Sequence, residues 1–229
     1  MERLRELALA EIRAEALARA EAGIANASGD LVRLYGELFG AEAPAGCALH
    51  LGARAGDTTL RFARACPGCS VHAVEPSRAL VESARAKLGA TPQVNGRVRF
   101  IEGPLPGVAL PRTRYDLVLT DGLLHHMEDP QVIWNVIRRH STAGAPVLVR
   151  DFRRPTTHAE AARFVRDYAA GTPPDLQRDL LGSLHAAFEI EEIERQLRSA
   201  RLRDFHVRPV GAMQVVIWGR LPASAMLGA

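Results

Sequence analysis

The chain reads as an α/β domain: a seven-stranded, mostly parallel sheet with a C-terminal antiparallel hairpin and helices on both faces. Three observations predict this. From residue 47 onward, short apolar runs alternate with amphipathic segments, the pattern of parallel strands joined by crossover helices. The first run, "ALHL", leads into the glycine-marked turn "GARAG" and then a helical pattern. The chain closes with "DFHVRPV" and "MQVVIWG", two alternating runs joined by Pro-Val-Gly-Ala, which read as a hairpin.

In chain order, residues 1–22 are helix formers with Leu4, Ala8 and Ile12 on one stripe, and "ASGDLVRLYGELFG" offers a cap and a second short helix carrying Tyr35. This N-terminal arm, residues 1–44, buries little by itself and is expected to lie across the domain as a lid or as the interface of a homodimer. A core over 45–151 follows. Its strands are expected at 48–51, 71–74, 98–101, 117–120 and 147–150, with helices near 56–65, 77–88 and 130–140 and Ser77 as an N-cap. Residues 152–200 hold three helical patterns, "THAEAARFVRDYAAG", "PDLQRDLLGSLHAAF" and "EIEEIERQLRSA", expected to form a cap; residues 201–220 are the hairpin. Without an internal repeat or a low-complexity linker, a single domain is the economical description.

Composition narrows the function classes. Of 229 residues, 24% are charged and the formal net charge is only +3; lysine occurs once, at Lys87, and the arginines are scattered among alanines. With aromatics at 5%, this is not the clustered positive, stacking surface that nucleic-acid binding requires. The N-terminus lacks the apolar core of a signal peptide, and no stretch approaches the roughly 18 apolar residues of a membrane span. A cytoplasmic protein without nucleic-acid or membrane partners is expected. Three cysteines are too few for a disulfide framework. "CPGC" at 66–69 has the spacing of a redox or metal pair, but Pro-Gly between a helix end and a strand is turn chemistry, and no second Cys/His pair at zinc-like spacing follows; no metal is expected.

The order of elements over roughly residues 45–220 resembles the class I S-adenosylmethionine-dependent methyltransferases, which have a Rossmann-like fold. "LHLGARAG" matches that family's acidic-x-Gly-x-Gly-x-Gly loop at Gly52 and Gly56, and departs from it at His50, where the family has an acid, and at Arg54, where it has the central glycine. The resemblance makes this loop the cofactor site. Arg54 then has three fates: it pairs with the methionine carboxylate, fills the pocket, or points to solvent. "VHAVEPS" ends the second strand on Glu75, the position at which the family uses an acid to accept both ribose hydroxyl hydrogens; a capping or surface carboxylate is the plainer alternative. In "VRFIEGPLPG", Pro104 stands where the family commonly has an acid for the adenine amino group.

The fourth strand ends "YDLVLTDGLLHHMEDP", similar to the family segment that faces the transferring methyl. The resemblance therefore brings Asp121 to the cofactor and His125 and His126 to the acceptor, where a histidine suits removal of a proton from a hydroxyl. The alternative is that "LLHHM" opens a helix and one histidine is a cap or packing residue. The pattern favours His126 over His125. "VLVRDFRRP" ends the fifth strand. Its Arg150, Arg153 and Arg154 either grip an anionic group of a substrate or pair with acids of the following helix. Tyr35 on the arm and His185 beside the Leu176, Leu180, Leu184 stripe are further substrate candidates; His185 is equally a packed histidine.

A nicotinamide dehydrogenase would carry G-x-G-x-x-G, and a nucleobase methylase an Asn/Asp-Pro-Pro-aromatic run at the fourth strand; neither is present. Two expectations remain. One is an S-adenosylmethionine-dependent enzyme that methylates a small molecule, an anionic one included. The other, motivated by His50, Arg54 and Pro104, is a catalytically silent relative that binds a partner or a different ligand.

Overall fold

The computed structural model describes residues 1–4, 31–40 and 43–223. Helix α1 spans Leu31–Phe39, and the first half of the core runs β1 (Gly46–Leu51), α2 (Asp57–Ala65), β2 (Cys69–Glu75), α3 (Arg78–Gly89) and β3 (Val98–Glu102). The second half runs β4 (Leu117–Asp121), α4 (Gln131–His140) and β5 (Pro146–Phe152). Helices α5 (His158–Tyr168), α6 (Pro174–Ala186) and α7 (Ile190–Ser199) precede the hairpin of β6 (His206–Val210) and β7 (Gln214–Arg220). The sheet order is β3-β2-β1-β4-β5-β7-β6, with β1 to β5 parallel and β7 inserted antiparallel between β5 and β6. This is the expected seven-stranded Rossmann-like sheet.

Alternation along the strands sorts the core into two layers. Leu49, Leu51, Val118, Val149 and Ile217 face Ile133, Trp134 and Ile137 of α4 and Ile193 and Leu197 of α7. Ala48, Leu117, Leu119, Leu148 and Val216 face Leu31 and Leu34 of α1, Leu60 and Phe62 of α2 and Val81 of α3. Phe164, Leu180 and Leu184 of α5 and α6 make a smaller cluster with Phe152 and Met213. Of the three helices in 152–200, only α5 and α6 therefore stand over the sheet's edge; α7 has the stronger apolar stripe and packs on the sheet face.

Helix α3 opens on Ser77, whose side chain accepts the Leu80 amide. "LLHHM" does not open the next helix. Leu124–His126 is a single 3₁₀ turn, and α4 starts only after Pro130. The reason is local: the residue before a proline is pushed towards extended backbone, so the chain restarts there, with Asp129 Oδ1 accepting the Gln131 amide at 2.9 Å. Pro67-Gly68 is a turn, and the three cysteines are free and buried, the Cys69 thiol pushed up to about 11 chiefly by burial. No described helix is long and apolar enough to cross a membrane. Most of the expected N-terminal arm, including its helix cap and the Ala8 and Ile12 positions, lies outside the described residues; at its start Arg3 and Leu4 are fastened to the end of α6, the Leu4 amide donating to the His185 carbonyl at 3.1 Å. Arg3 donates to the carbonyls of Ala186 at 2.6 Å and Met127 at 2.9 Å and lies over the Phe188 ring.

Gly56 precedes α2 with φ +84°, and a β-carbon there would come within 2.8 Å of both the Ala84 β-carbon and Phe100 Cζ. Gly56→Ala is expected to destabilise the fold by about 2–4 kcal/mol, from left-handed strain plus overpacking. Urea unfolding with an unchanged slope checks it.

Candidate active site

The chain leaves β1 for β2 on one side and returns to β4 on the other, so the crevice between the carboxyl ends of β1 and β4 is the switch point at which open α/β sheets bind ligands. The loop after β1 is pinned there. The amides of Gly52 and Ala53 both donate to the Val74 carbonyl at 2.9 Å, and a β-carbon on Gly52 (φ +73°) would meet that of Leu123 at 2.9 Å. Glu75 ends β2 and is buried. Its Oε2 accepts the Arg54 amide at 2.9 Å and its Oε1 the Ser77 amide at 3.1 Å, so one carboxylate holds both the loop and the start of α3. Burial raises the Glu75 carboxyl above its ordinary range, against the two amide bonds and the nearby Arg54 charge.

Arg54 is left-handed at φ +52° and half-buried. Its side chain does not run out to solvent. It crosses the crevice so that Nη1 stands 3.1 Å from where a β-carbon of Gly122 would be; His125 Cε1 is 3.9 Å from the same point. Gly122, at φ +68°, is thus the bare spot on which the β1 loop and the turn after β4 converge. The cavity lined by His50, Gly52–Thr58, Asp121, Gly122, Asp151, Phe152 and Gln214 has a volume of about 30 Å³, room for a water or two.

Behind it, on the α1–α3 side, lies a buried polar cluster. Arg150 is 1% exposed and grips Asp121 with two bonds of 2.8 Å, while Thr58 Oγ1 donates to Asp121 Oδ2 at 2.9 Å. Burial alone would raise the Asp121 carboxyl; the Arg150 charge and hydrogen bonds outweigh it, and the group sits below its ordinary value. His50 Nδ1 is 2.7 Å from Thr59 Oγ1, and burial pushes the imidazole down to about 4, so it is neutral near pH 7. His50 Nε2 and Gln214 Oε1 both belong to cavity-lining residues and have no hydrogen-bond partner. Gln214 was not among the sequence candidates; the signal available was a polar residue opening an otherwise apolar strand.

On the opposite side of the sheet edge, Asp151 Oδ1 is 2.6 Å from His125 Nδ1, and both side chains are buried. The Leu124 and Phe152 amides also donate to Asp151, at 2.6 and 2.7 Å. Because a carboxylate only accepts, this contact puts a proton on Nδ1; the Nε2 atom is buried, and His125 is not among the residues that line the cavity. His126 is exposed and packs on His125 with ring centroids 4.0 Å apart. The two histidines therefore separate into one that is oriented and one that is solvated.

The expected substrate residues are placed less favourably. Arg150 is committed to the buried Asp121, and Arg154, 4% exposed, pairs with the partly exposed Glu192 at 2.9 Å and Glu189 at 3.1 Å; neither guanidinium emerges at the edge, because a buried one needs a carboxylate partner. Tyr35 packs in the core, its ring 5.0 Å from Phe39. His185 sits on α6 with Nε2 3.2 Å from His158 Nδ1. Among the described residues neither lines the cavity. Nor does Pro104, which is exposed beyond the end of β3.

Residues 49–147 match the methyltransferase domain family. The described fold is similar to a SAM-dependent methyltransferase from Aquifex aeolicus (14% identity, TM-score 0.64, covering 90% of this chain and 98% of that one). It is also similar to the plantazolicin methyltransferase BpumL in complex with SAH (11% identity, TM-score 0.66, covering 93% and 96%). In sequence, a 64-residue stretch is 38% identical to the mitochondrial ubiquinone biosynthesis O-methyltransferase of Schizosaccharomyces pombe; it spans 28% of this chain and 23% of that relative.

Two stability predictions follow from the buried cluster. Arg150→Met leaves the Asp121 charge buried without its partner and is expected to cost about 3–5 kcal/mol in urea unfolding. For His50, the folded value of about 4 lies below the unfolded 6.5, so the unfolded chain binds the extra proton. Stability should be fully present above pH 6.5 and fall by about 3 kcal/mol as pH drops to 4. His50→Gln should remove that part of the pH dependence, leaving the smaller losses from His72, His140 and His185, whose imidazoles burial also lowers, and the loss at lower pH that comes with protonating Asp121.

Proposed function

We propose that this protein, whose residues 49–147 match the methyltransferase domain family and whose fold is similar to that of a SAM-dependent methyltransferase, binds S-adenosylmethionine in the β1–β4 crevice and transfers its methyl group to a hydroxyl of a small molecule. The observation that carries the cofactor half is Glu75. It is a buried carboxylate at the carboxyl end of β2 that already organises the glycine loop, and it has acceptor capacity left for a vicinal diol. The residues fit the group in part: Gly122 leaves bare backbone that only the Arg54 side chain covers, and two of the lining residues, His50 and Gln214, carry buried polar atoms without a hydrogen-bond partner. The fit requires the Arg54 side chain to yield space, which a flexible arginine does at small cost.

When bound, the cofactor supplies an electrophilic methyl on a sulfonium. The chain's part is to align the acceptor and remove its proton. His125, oriented by Asp151, is the base in this proposal once its buried Nε2 is uncovered; His126, which packs on it, is exposed. A hydroxyl acceptor suits a neutral imidazole base, and the name of the Schizosaccharomyces pombe relative, an O-methyltransferase, is consistent with it. With Arg150 and Arg154 held in internal pairs, an anionic acceptor receives no support from them. The second reading, a silent relative, is favoured by the small cavity beneath Arg54.

Thermal unfolding with S-adenosylmethionine or S-adenosylhomocysteine decides between the two. At a hundredfold excess over Kd a rise of roughly 5–10 °C is expected, and Glu75→Gln should weaken binding at least tenfold. No shift at millimolar ligand would leave the silent reading. Once an acceptor is found, His125→Gln is expected to lower turnover 10²–10⁴-fold with cofactor affinity unchanged; an equal loss in His126→Gln alone would move the base to that residue.

A further inference from the structure

We propose that Lys87, which lies outside the crevice, is a positioning residue for the ligand held there: its ammonium fastens the exit of the glycine loop to the last turn of α3, and tight binding depends on that fastening. The inference rests on the cofactor reading above and deepens it.

Of the 29 lysine and arginine side chains in the chain, Lys87 alone is lysine. Its Nζ donates to the Ala55 carbonyl at 2.9 Å and to Asp57 Oδ2 at 2.6 Å, the residues on either side of Gly56. Ala55 and Asp57 line the cavity, and Lys87 does not, so it acts through the loop and not on a ligand. The earlier part of the loop is held from β2, Gly52 and Ala53 by the Val74 carbonyl and the Arg54 amide by Glu75. Lys87 holds the remaining stretch. The first bond of α2, from the Leu60 amide to the Gly56 carbonyl, begins one residue past Ala55, and the Ala55 carbonyl is completed from α3.

Magnitudes decide which of the two Lys87 bonds matters. With side-chain exposures of 29% and 43%, the Lys87–Asp57 pair by itself is worth little. Ala55 is buried, and a buried carbonyl that loses its donor bears the full desolvation penalty, so the bond to Ala55 is the one that fixes the loop. The helix period supplies the reach. Ala84 packs against Gly56, its β-carbon 2.8 Å from where one on Gly56 would stand, and Lys87 follows three residues later on the same face of α3. Asp57 lies in the first turn of α2 and Lys87 in the last turn of α3, so each charge also meets the favourable end of its own helix dipole. An ammonium is a compact head with three rotatable donors and meets a carbonyl and a carboxylate at once; a guanidinium is a wider planar fork. The coupling is reciprocal: a ligand steadies the tether by the factor by which the tether favours the ligand.

The test compares wild type, Lys87→Met and Lys87→Arg by isothermal titration with S-adenosylhomocysteine and by amide hydrogen exchange of the free proteins. Methionine keeps the aliphatic stem, and circular dichroism verifies folding. In parallel, wild-type Lys87 is acetylated with N-hydroxysuccinimide acetate with and without S-adenosylhomocysteine; the amine reacts only after leaving Ala55 and Asp57, and a single lysine makes the modified peptide unambiguous. Lys87→Met is expected to weaken S-adenosylhomocysteine binding about fivefold to twentyfold and to speed exchange over residues 53–57 about tenfold, with α4 and α7 unchanged. Lys87→Arg should fall between the two, and saturating S-adenosylhomocysteine should slow acetylation by about threefold or more. Unchanged loop exchange in Lys87→Met, affinity within about twofold of wild type, or acetylation indifferent to bound S-adenosylhomocysteine each overturns the tether while leaving the cofactor reading intact. Failure of wild type to bind S-adenosylhomocysteine overturns both.

Discussion

The carboxyl edge of this sheet depends on the pair of Arg150 and Asp121. Both groups are buried, and stripping water from either charge costs several kcal/mol, so each is tolerable only because the other meets it in bidentate geometry. The pair joins the ends of β4 and β5, and Thr58 extends it to the first turn of α2. It therefore holds two strands and the helix that starts from the glycine loop in one register. Its field also bears on His50, where the Asp121 attraction and the Arg150 repulsion oppose each other and burial decides the outcome.

From that edge the site divides into two halves with opposite chemistry. On the α1–α3 side Arg150, Asp121 and Thr58 are locked in an ion pair and hydrogen bonds and serve as a rigid floor, beside which His50 Nε2 and Gln214 Oε1 stay unsatisfied. On the α4 side Asp151 orients His125, with its second oxygen closed by the Leu124 amide. Adjacent strand residues point to opposite faces, so Arg150 and Asp151 necessarily supply one half each. The halves meet at the cavity and beside Gly122, which has no side chain to separate them.

The glycine loop shows how one carboxylate organises a binding edge. Glu75 receives an amide from each side of the crevice's β2 wall, and burial makes the loss of either bond costly. That arrangement tolerates arginine at the loop's centre because the backbone is held from beneath, whatever the side chain above it does. It also explains why the departures from the family pattern at His50 and Arg54 leave the loop's path intact: the path is set by Gly52, Gly56 and the amides on Val74 and Glu75.

The sequence by itself determined the layers and their order. Apolar runs such as "VHAVE" and "YDLVLTD" alternate with amphipathic segments, and burying those faces against each other admits few architectures. Glu75 and the Gly52 and Gly56 turn were legible for the same reason, since a strand end and its following turn are local features. Only the tertiary structure decided which polar residues meet. Arg150 looked like an edge residue and is an internal partner of Asp121, 29 positions away; Gln214 enters the site through a hairpin at the far end of the chain; His125 separates from His126 only because Asp151 lies across from it. Such pairings are set by strand register and by the need of every buried charge for a partner. Both are properties of the assembled sheet, and no local pattern encodes them.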